Sequence, residues 1–320
     1  MRLLVTGGTG SLGHALVRYA LEYTDWRIVV LSRDELKQAR MHETFPNERV
    51  DFRLGDVRDA TRLKLAFHGI GMVVHAAALK RVDAVAGDPA EVFQTNIFGT
   101  RNVLEAAISC GVPKVLTISS DKAAYPTNAY GVSKLAAEHL TVSYNTYGAP
   151  RGTLSSVVRY GNVLGSRGSV VHAWRNQDPI RMTDPRMTRF IITMPQAVGL
   201  VHACLDAMEG GETFVPRLPA ACLLDLAQVV NPDAHRVVVG VRPGGEKLHE
   251  TLLTGEEAER SVDLGEYITC VRPHLYPWRI SVLHESEPRT LDGERTSEGA
   301  RRLSIEELRG MLKTVPVEGV

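Results

Sequence analysis

Apolar and polar positions along the first half of the chain follow two rhythms. Short runs rich in aliphatic and β-branched residues, at Leu3–Thr6, Arg27–Leu31, Val50–Leu54, Gly71–His75, Lys114–Ser119 and Ser155–Arg159, read as buried strands. Between them apolar residues recur three and four apart, as at Leu12, Ala15, Leu16, Tyr19 and Ala20, the stripe of a helix laid on a sheet. Strands alternating with helices predict an α/β fold, a doubly wound parallel sheet covered on both faces. After Tyr160 the rhythm breaks. Gly161–Pro185 is rich in Gly, Arg, Asn and Asp and predicts long loops, followed by a helix near Pro195–Met208. Leu303–Leu312 predicts a terminal helix opened by Ser304, with Glu307 completing a capping box. The polar segment Glu285–Gly299 reads as a mobile connection. The expected organisation is one domain over residues 1–164 that continues at about 190–212, and a smaller, discontinuous lobe from 165–189 and 213–320.

Composition narrows the function classes. Lys+Arg and Asp+Glu are 37 each among 320 residues, which removes any global charge argument for nucleic acid or an anionic membrane. Four scattered cysteines and no clustered histidines argue against a zinc site or a disulfide framework; no metal is expected, and a reducing compartment fits. The chain opens on a strand-like run and holds no bilayer-spanning apolar stretch, so the expectation is a cytoplasmic protein with neither membrane nor nucleic-acid partner.

The run Leu3–Gly13 carries a strand into a Gly7-x-x-Gly10-x-x-Gly13 loop at the start of a helix. Glycines so placed let the backbone turn tightly and approach a pyrophosphate, and the helix N-terminus offers unpaired N–H groups. A Rossmann-type dinucleotide site follows, with Thr6, Gly7, Gly10, Ser11, Leu12 and Gly13 as its first contacts. At the end of the second strand, Ser32, Arg33 and Lys37 suit a 2′-phosphate and favour NADP, while Asp34 leaves NAD open. Asp56 and Val57 follow the third strand, where the carboxylate either accepts from the adenine amino group or caps a helix. Ala76, Ala77 and Ala78 end the fourth strand with side chains small enough for a cofactor to lie against the backbone.

Tyr130 and Lys134, four residues apart, share a helix face. In that geometry the ammonium can lower the tyrosine pKa and hold the cofactor ribose, leaving a tyrosinate able to take an alcohol proton as hydride leaves carbon. The strand before them ends at Ser119-Ser120-Asp121-Lys122, an acid and a base directly after the hydroxyl residues.

These residues resemble the catalytic set of the extended short-chain dehydrogenase/reductases. The resemblance implies Ser120 as hydroxyl partner of the substrate oxygen, Tyr130 as base and Lys134 as its support. Asn96 matches that family's structural asparagine beside the cofactor or, alternatively, is a helix N-cap. Ser120-Asp121-Lys122-Ala123, with the blocks His75–Lys80, Arg159–Val171, Thr183–Ile192 and Arg242–Glu250, is similar to the UDP-N-acetylglucosamine 4,6-dehydratases of flagellin and capsule sugar synthesis, from Leu3 to about Thr251. That similarity implies oxidation at C4, elimination of water across C5–C6 by neutral Lys122 and protonated Asp121, and return of hydride to C6. It further implies a tightly bound cofactor regenerated in each turnover and a homo-oligomer. Retention of Tyr130 resembles the C5-inverting branch; C5 retention and a UDP-sugar 4-epimerase are the alternatives. For the UDP-sugar, Arg167, Arg186, Arg189, Arg242 and Lys247 form the candidate cation set. Asn162 suits a phosphate or the sugar amide, and Lys80 and Arg81 the sugar pocket. Two departures fall near that pocket: Tyr125 stands where such sequences carry asparagine, and Gly244-Gly245 holds one glycine more than their Arg-Pro-Gly-Glu-Lys.

Overall fold

The computed structural model describes residues 1–81, 87–242, 244–263, 268–271 and 293–315. Its first half runs β1 (Arg2–Thr6), α1 (Ser11–Tyr23), β2 (Arg27–Ser32), α2 (Glu35–Thr44), β3 (Val50–Leu54), α3 (Ala60–Ala66) and β4 (Met72–His75). There follow α4 (Pro89–Phe93), a wide turn at Gln94–Phe98, α5 (Gly99–Cys110), β5 (Lys114–Ser120), α6 (Ala129–Ser143), a single-turn α7 (Asn145–Gly148) and β6 (Leu154–Tyr160). The strands pair in parallel in the order β3-β2-β1-β4-β5-β6, the expected doubly wound sheet.

Period-two alternation decides which face each strand residue covers. Leu3 and Val5 pack with Leu16, Val17 and Ala20 of α1, while Leu4 faces the opposite layer with Leu63 of α3 and Leu104 of α5.

The second half contains β7 (Asn162–Val163), α8 (Val170–Trp174), β8 (Ile180–Met182), β9 (Thr188–Ile192), α9 (Met194–Ala207) and β10 (Thr213–Pro216). It continues with β11 (Ala220–Cys222), α10 (Leu223–Val230), β12 (Arg236–Val238), β13 (Thr251–Leu253), α11 (Gly255–Glu259), β14 (Ser261–Asp263), β15 (Ile268–Val271), β16 (Arg295–Thr296) and α12 (Ile305–Leu312). Gly161–Pro185, expected as loops, therefore holds short elements, and their apolar residues Trp174, Ile180 and Met182 join Leu226 and Leu308 in a separate core. Thr213–Pro216, expected in the lobe, instead pair in parallel with β6, and β15 and β14 extend the same sheet antiparallel. The capping box of Ser304 and Glu307 forms as expected. Of the polar segment expected to be mobile, 285–292 lies outside the described residues, whereas Arg295–Thr296 pair with β13.

Arg159, only 1% exposed, clamps the two halves together. Its guanidinium donates to Glu138 of α6, to Glu257 of α11 and to the Leu252 carbonyl. A cation buried this deeply is tolerable because every fork is met by a carboxylate or carbonyl. Among the described residues no helix is long and apolar enough to cross a membrane, and no His/Cys/Asp/Glu group could hold a metal ion.

Candidate active site

The C-terminal ends of β1, β2, β3 and β4 open into a cleft of about 290 Å³. Gly7, at φ +64, lies against the end of β4, where a Cβ would come within 2.8 Å of Ala77 Cα. A Cβ on Gly13 would stand 1.9 Å from the Gly8 carbonyl oxygen, so α1 can start this close to the strand only with glycine there. Gly10 caps α1 with no side-chain hydrogen bond, which leaves the helix's first N–H groups for a ligand. Ser32, Arg33, Lys37, Asp56, Val57, Ala77 and Ala78 line the cleft. Thr6 and Ala76 sit just behind it, Ser11 opens α1, and Leu12 packs into the core rather than toward the cleft. A narrow cradle of glycine and alanine ending at a helix N-terminus fits a dinucleotide.

Several details differ from the sequence expectation. Asp56 is not a helix cap; Asp59 caps α3, and Asp56 instead accepts from the Arg58 backbone and guanidinium, with Arg33 at 3.7 Å. Lys37 is paired with Asp34 at the start of α2. Asn96 is not an N-cap either. It lies in the Gln94–Phe98 turn, 2% exposed, and its amide ties Leu79 N–H and C=O to the Ser133 hydroxyl of α6. It positions the cleft wall without lining it. Thr9, not anticipated, shares a 2.8 Å hydrogen bond with Ser32.

At the end of β5 the sheet delivers Ser120, and the tight turn Asp121–Ala123 brings Asp121 and Lys122 under it. Asn128 caps α6, which carries Tyr130 and Lys134 back to the same point. Ser120 Oγ donates to Asp121 Oδ1 at 2.9 Å, and Lys122 Nζ donates to the same oxygen at 2.9 Å and to Asn162 Oδ1 at 3.2 Å. The Ser120 side chain lies close enough to the Tyr130 phenol to favour its ionised form. Asp121 is fully buried, and its Oδ2 has no partner among the described residues.

Burial, seconded by the charge of Glu250, raises the Asp121 pKa, in the direction a proton donor needs, even though Lys122 opposes it. For Lys122 burial alone would favour the neutral amine, but the Asp121 and Glu250 carboxylates outweigh it, and the nitrogen is held as an ammonium. The expected neutral Lys122 is thus not the resting state. Burial raises the tyrosine pKa, and the cation that most moderates it is Lys122, not the expected Lys134. Lys134 donates to the Ile118 carbonyl at 2.6 Å, and burial lowers its own pKa to about 8.

Glu250 is the site residue that sequence reasoning missed. It is 3% exposed, with Lys122 Nζ at 3.4 Å, Lys247 Nζ at 3.0 Å and Arg189 Nε at 3.8 Å. Burial opposes its charge, but these three cations hold its pKa down to about 2. The one sequence signal was an acid three residues after Lys247, in a block already singled out. Lys247 also donates to the Ala124 carbonyl at 2.7 Å and so braces the Asp121–Ala124 turn.

The cation set does not converge as expected. Arg167 lies on the glycine loop: its N–H donates to Ser11 Oγ at 2.9 Å and its guanidinium to the Thr9 carbonyl at 3.1 Å, and it lines the dinucleotide cleft. Arg186 is 74% exposed and paired with Asp184. Arg242 is half exposed and paired with Glu246. Arg189 is buried, donating to the Thr188 and Leu248 carbonyls. Lys80 is exposed, yet the protein around its ammonium, and next the Arg167 charge, lower its pKa. Arg81 follows it on the exposed rim. The two departures meet in space, since Gly245 C=O accepts from Asn128 in the loop that follows Tyr125.

The family model described as polysaccharide biosynthesis protein matches residues 3–272. The chain belongs to that family. It is also 39% identical over 271 residues to the UDP-N-acetylglucosamine 4,6-dehydratase (inverting) of Campylobacter jejuni, covering 83% of this chain and 81% of that one. Over 327 residues it is 36% identical to a UDP-glucose 4-epimerase of Rickettsia canadensis, covering 98% and 95%. The structure of Pen from Bacillus thuringiensis superposes with a TM-score of 0.91 at 33% identity, over 99% of this chain and 98% of that one. The fold is that of the extended short-chain dehydrogenase/reductases.

Proposed function

We propose that the protein dehydrates UDP-N-acetylglucosamine to a UDP-2-acetamido-2,6-dideoxy-4-hexulose, with inversion at C5. The observation that carries this reading is the buried Asp121–Lys122 pair, joined to Ser120 and lying beside Tyr130. An oxidoreductase that only moves hydride at one carbon has no use for a second acid–base pair there.

The C5 proton of a hexose is not acidic until C4 is a ketone. A nicotinamide dinucleotide with its diphosphate held by the Gly7–Gly13 cradle would supply that oxidation and later return the hydride to C6. Tyr130 takes the C4 hydroxyl proton as hydride leaves and then, with Ser120, donates to the C4 oxygen and stabilises the enolate that forms when C5 loses its proton. Passage of the Lys122 proton to Asp121 within their 2.9 Å hydrogen bond, favoured at Asp121 by burial, makes the acid and the base that elimination needs: Asp121 protonates the departing C6 hydroxyl, and Lys122 receives the C5 proton. Lys134, bonded to the Ile118 carbonyl of β5, would hold the cofactor ribose. We propose NADP as that cofactor, because Ser32 ends β2 and Arg33 follows it in the cleft, while the Asp34 carboxylate there is taken by Lys37. An Arg33→Asp variant should then bind NAD better than NADP.

Proton NMR of UDP-N-acetylglucosamine with the protein in deuterated water tests the reaction. A new C6 methyl signal, a 4-keto or hydrated product and deuterium at C5 are the expected result, and the C5 configuration decides inversion against retention. The Rickettsia relative favours a second reading, a UDP-sugar 4-epimerase. Conversion to the C4 epimer alone would establish that reading and retire the first.

A further inference from the structure

The loop that follows β7 reaches back to the glycine cradle, and the residues after α12 pack behind it. Gly165 at φ +70 and Gly168 at φ +76 bracket Ser166 and Arg167. Left-handed glycines at both ends of a short turn are positions that absorb a backbone swing. Arg167 is the part of the turn that meets the cradle. Its N–H donates to Ser11 Oγ at 2.9 Å, its guanidinium donates to the Thr9 carbonyl at 3.1 Å, and it lines the dinucleotide cleft.

The two glycines differ in their surroundings. A Cβ on Gly168 would meet nothing within 4 Å, whereas a Cβ on Gly165 would overlap the Val315 methyl groups. Val315 is 7% exposed and shares the core of the second half with Leu164, Trp174 and Leu308. The carbonyls at this contact are tied as well. Gly165 C=O accepts from His172 Nε2 of α8 at 2.7 Å, and Val315 C=O accepts from the Arg175 guanidinium at 3.3 Å. One end of the turn is therefore clear, and the other is wedged between α8 and the residues after α12.

From this packing we infer that Val315 is a positioning residue for the cofactor: by backing Gly165 it keeps Arg167 on the glycine cradle, and so governs how fast a bound dinucleotide leaves. The Gly165 peptide cannot turn toward the valine without driving into it, so Arg167 lifts from Ser11 and Thr9 only when Val315 gives way or Gly168 bends alone. Val315 is not among the residues that line the cleft, and it acts through Arg167. What the wedge secures is retention. A hydride taken from a substrate and later returned is stored on the dinucleotide between two steps, and a cofactor lost in that interval strands a half-converted substrate. The inference goes beyond the dehydratase reading and holds for any reaction that stores a hydride in this cleft.

Release is read by loading the protein with NADPH, adding excess NADP and following the loss of bound-dinucleotide fluorescence, and again with NADH and NAD. Val315→Ala removes the two methyl groups behind Gly165 and should speed release by about tenfold. Val315→Ile keeps both Cγ atoms and should restore release to within about threefold of the wild-type rate. Arg167→Ala should release as fast as Val315→Ala, and the double variant no faster than Arg167→Ala alone, because the valine matters only through the arginine. The KM for the UDP-sugar at saturating dinucleotide should stay at its wild-type value in Val315→Ala. A valine that served stability alone would leave release unchanged or multiply the effect of Arg167→Ala, and either result overturns the inference. If Val315→Ala does not fold, amide hydrogen exchange of the wild type decides instead. Added NADPH should slow the Arg167 and Val315 amides together, and slowing at Arg167 alone overturns the coupling. A wild type that retains neither dinucleotide would overturn the cofactor site and the wedge together. Failure of the dehydratase reading alone looks different, because every release rate would stand as expected while no C6 methyl product formed.

Discussion

Glu250 Oε1 stands 3.4 Å from Lys122 Nζ, a contact between the turn after β5 and the segment that leads into β13. With Lys247 at 3.0 Å and Arg189 at 3.8 Å, the carboxylate is the anion that lets three cations share one buried site. Removing one member of such a group leaves the others uncompensated. Glu250→Gln keeps the shape and loses the charge, so it should destabilise the protein at neutral pH by about 3 kcal/mol, the cost implied by a pKa near 2 in place of 4.5. The folded pKa is depressed, so this stability is present above 4.5 and is lost as pH falls toward 2. Urea midpoints of the two proteins should therefore converge on acidification. A constant gap would show that the effect is packing and not charge.

His75 should make the fold acid-sensitive over a separate range. Thr100 Oγ1 donates to the Asn96 carbonyl, so the 2.9 Å contact with His75 Nε2 assigns the ring proton to Nε2. Nδ1 then accepts from Thr6 at 2.7 Å. A second proton would have to sit on Nδ1, against that hydroxyl, in a fully buried position. Burial, and next the Lys134 charge, lower the pKa to about 3 from 6.5. The unfolded chain binds the proton first, so stability is complete above 6.5 and falls as pH drops toward 3. The loss between pH 7 and pH 5 should be about 2 kcal/mol, and it should be much smaller in His75→Gln. Equal slopes of urea stability against pH would refute the assignment.

Elements set by short-range pattern were legible in the sequence. Short continuous aliphatic runs marked the strands at Leu3, Val29 and Val115. The spacing of Gly7, Gly10 and Gly13 located the cradle, and the four-residue step from Tyr130 to Lys134 placed both on α6. Charge partnership was not legible, because it depends on which distant segments meet. Arg167 reads as a substrate arginine until the loop after β7 is seen lying on Ser11. Lys122 reads as a neutral base until Glu250 arrives from the far end of the chain. Thr213–Pro216 were too few to announce a seventh parallel strand, which forms because β6 offers an open edge.

Tyr125 should prove to be a strained position. It is the one non-glycine residue with positive φ, +46, among the described residues, in the turn that follows Lys122. A left-handed backbone costs an ordinary side chain roughly 1–2 kcal/mol, whereas asparagine tolerates it. The ring is 54% exposed, so burial returns little of that cost. Tyr125→Asn is expected to gain about 1 kcal/mol, visible as a higher midpoint in a thermal melt. A lower midpoint would mean that the ring makes contacts worth more than the strain.

Arg167 distinguishes two uses of a cation in this cleft. Its backbone N–H holds Ser11, its guanidinium holds the Thr9 carbonyl, and both partners belong to the loop that leads into α1. Burial, and next the Arg167 charge, lower the Lys80 pKa, so a second cation lies near the one that lines the dinucleotide cleft. An anion between them relieves that repulsion, and the dinucleotide diphosphate is the anion that the glycine cradle would bring there. Arg167→Ala should therefore weaken dinucleotide binding by about tenfold, one lost charged hydrogen bond, and speed cofactor loss on gel filtration. The KM for the UDP-sugar should change little when cofactor is supplied in excess. If the variant instead retained its cofactor and raised the sugar KM, Arg167 would return to the substrate side, and the cleft would need another residue to hold the diphosphate.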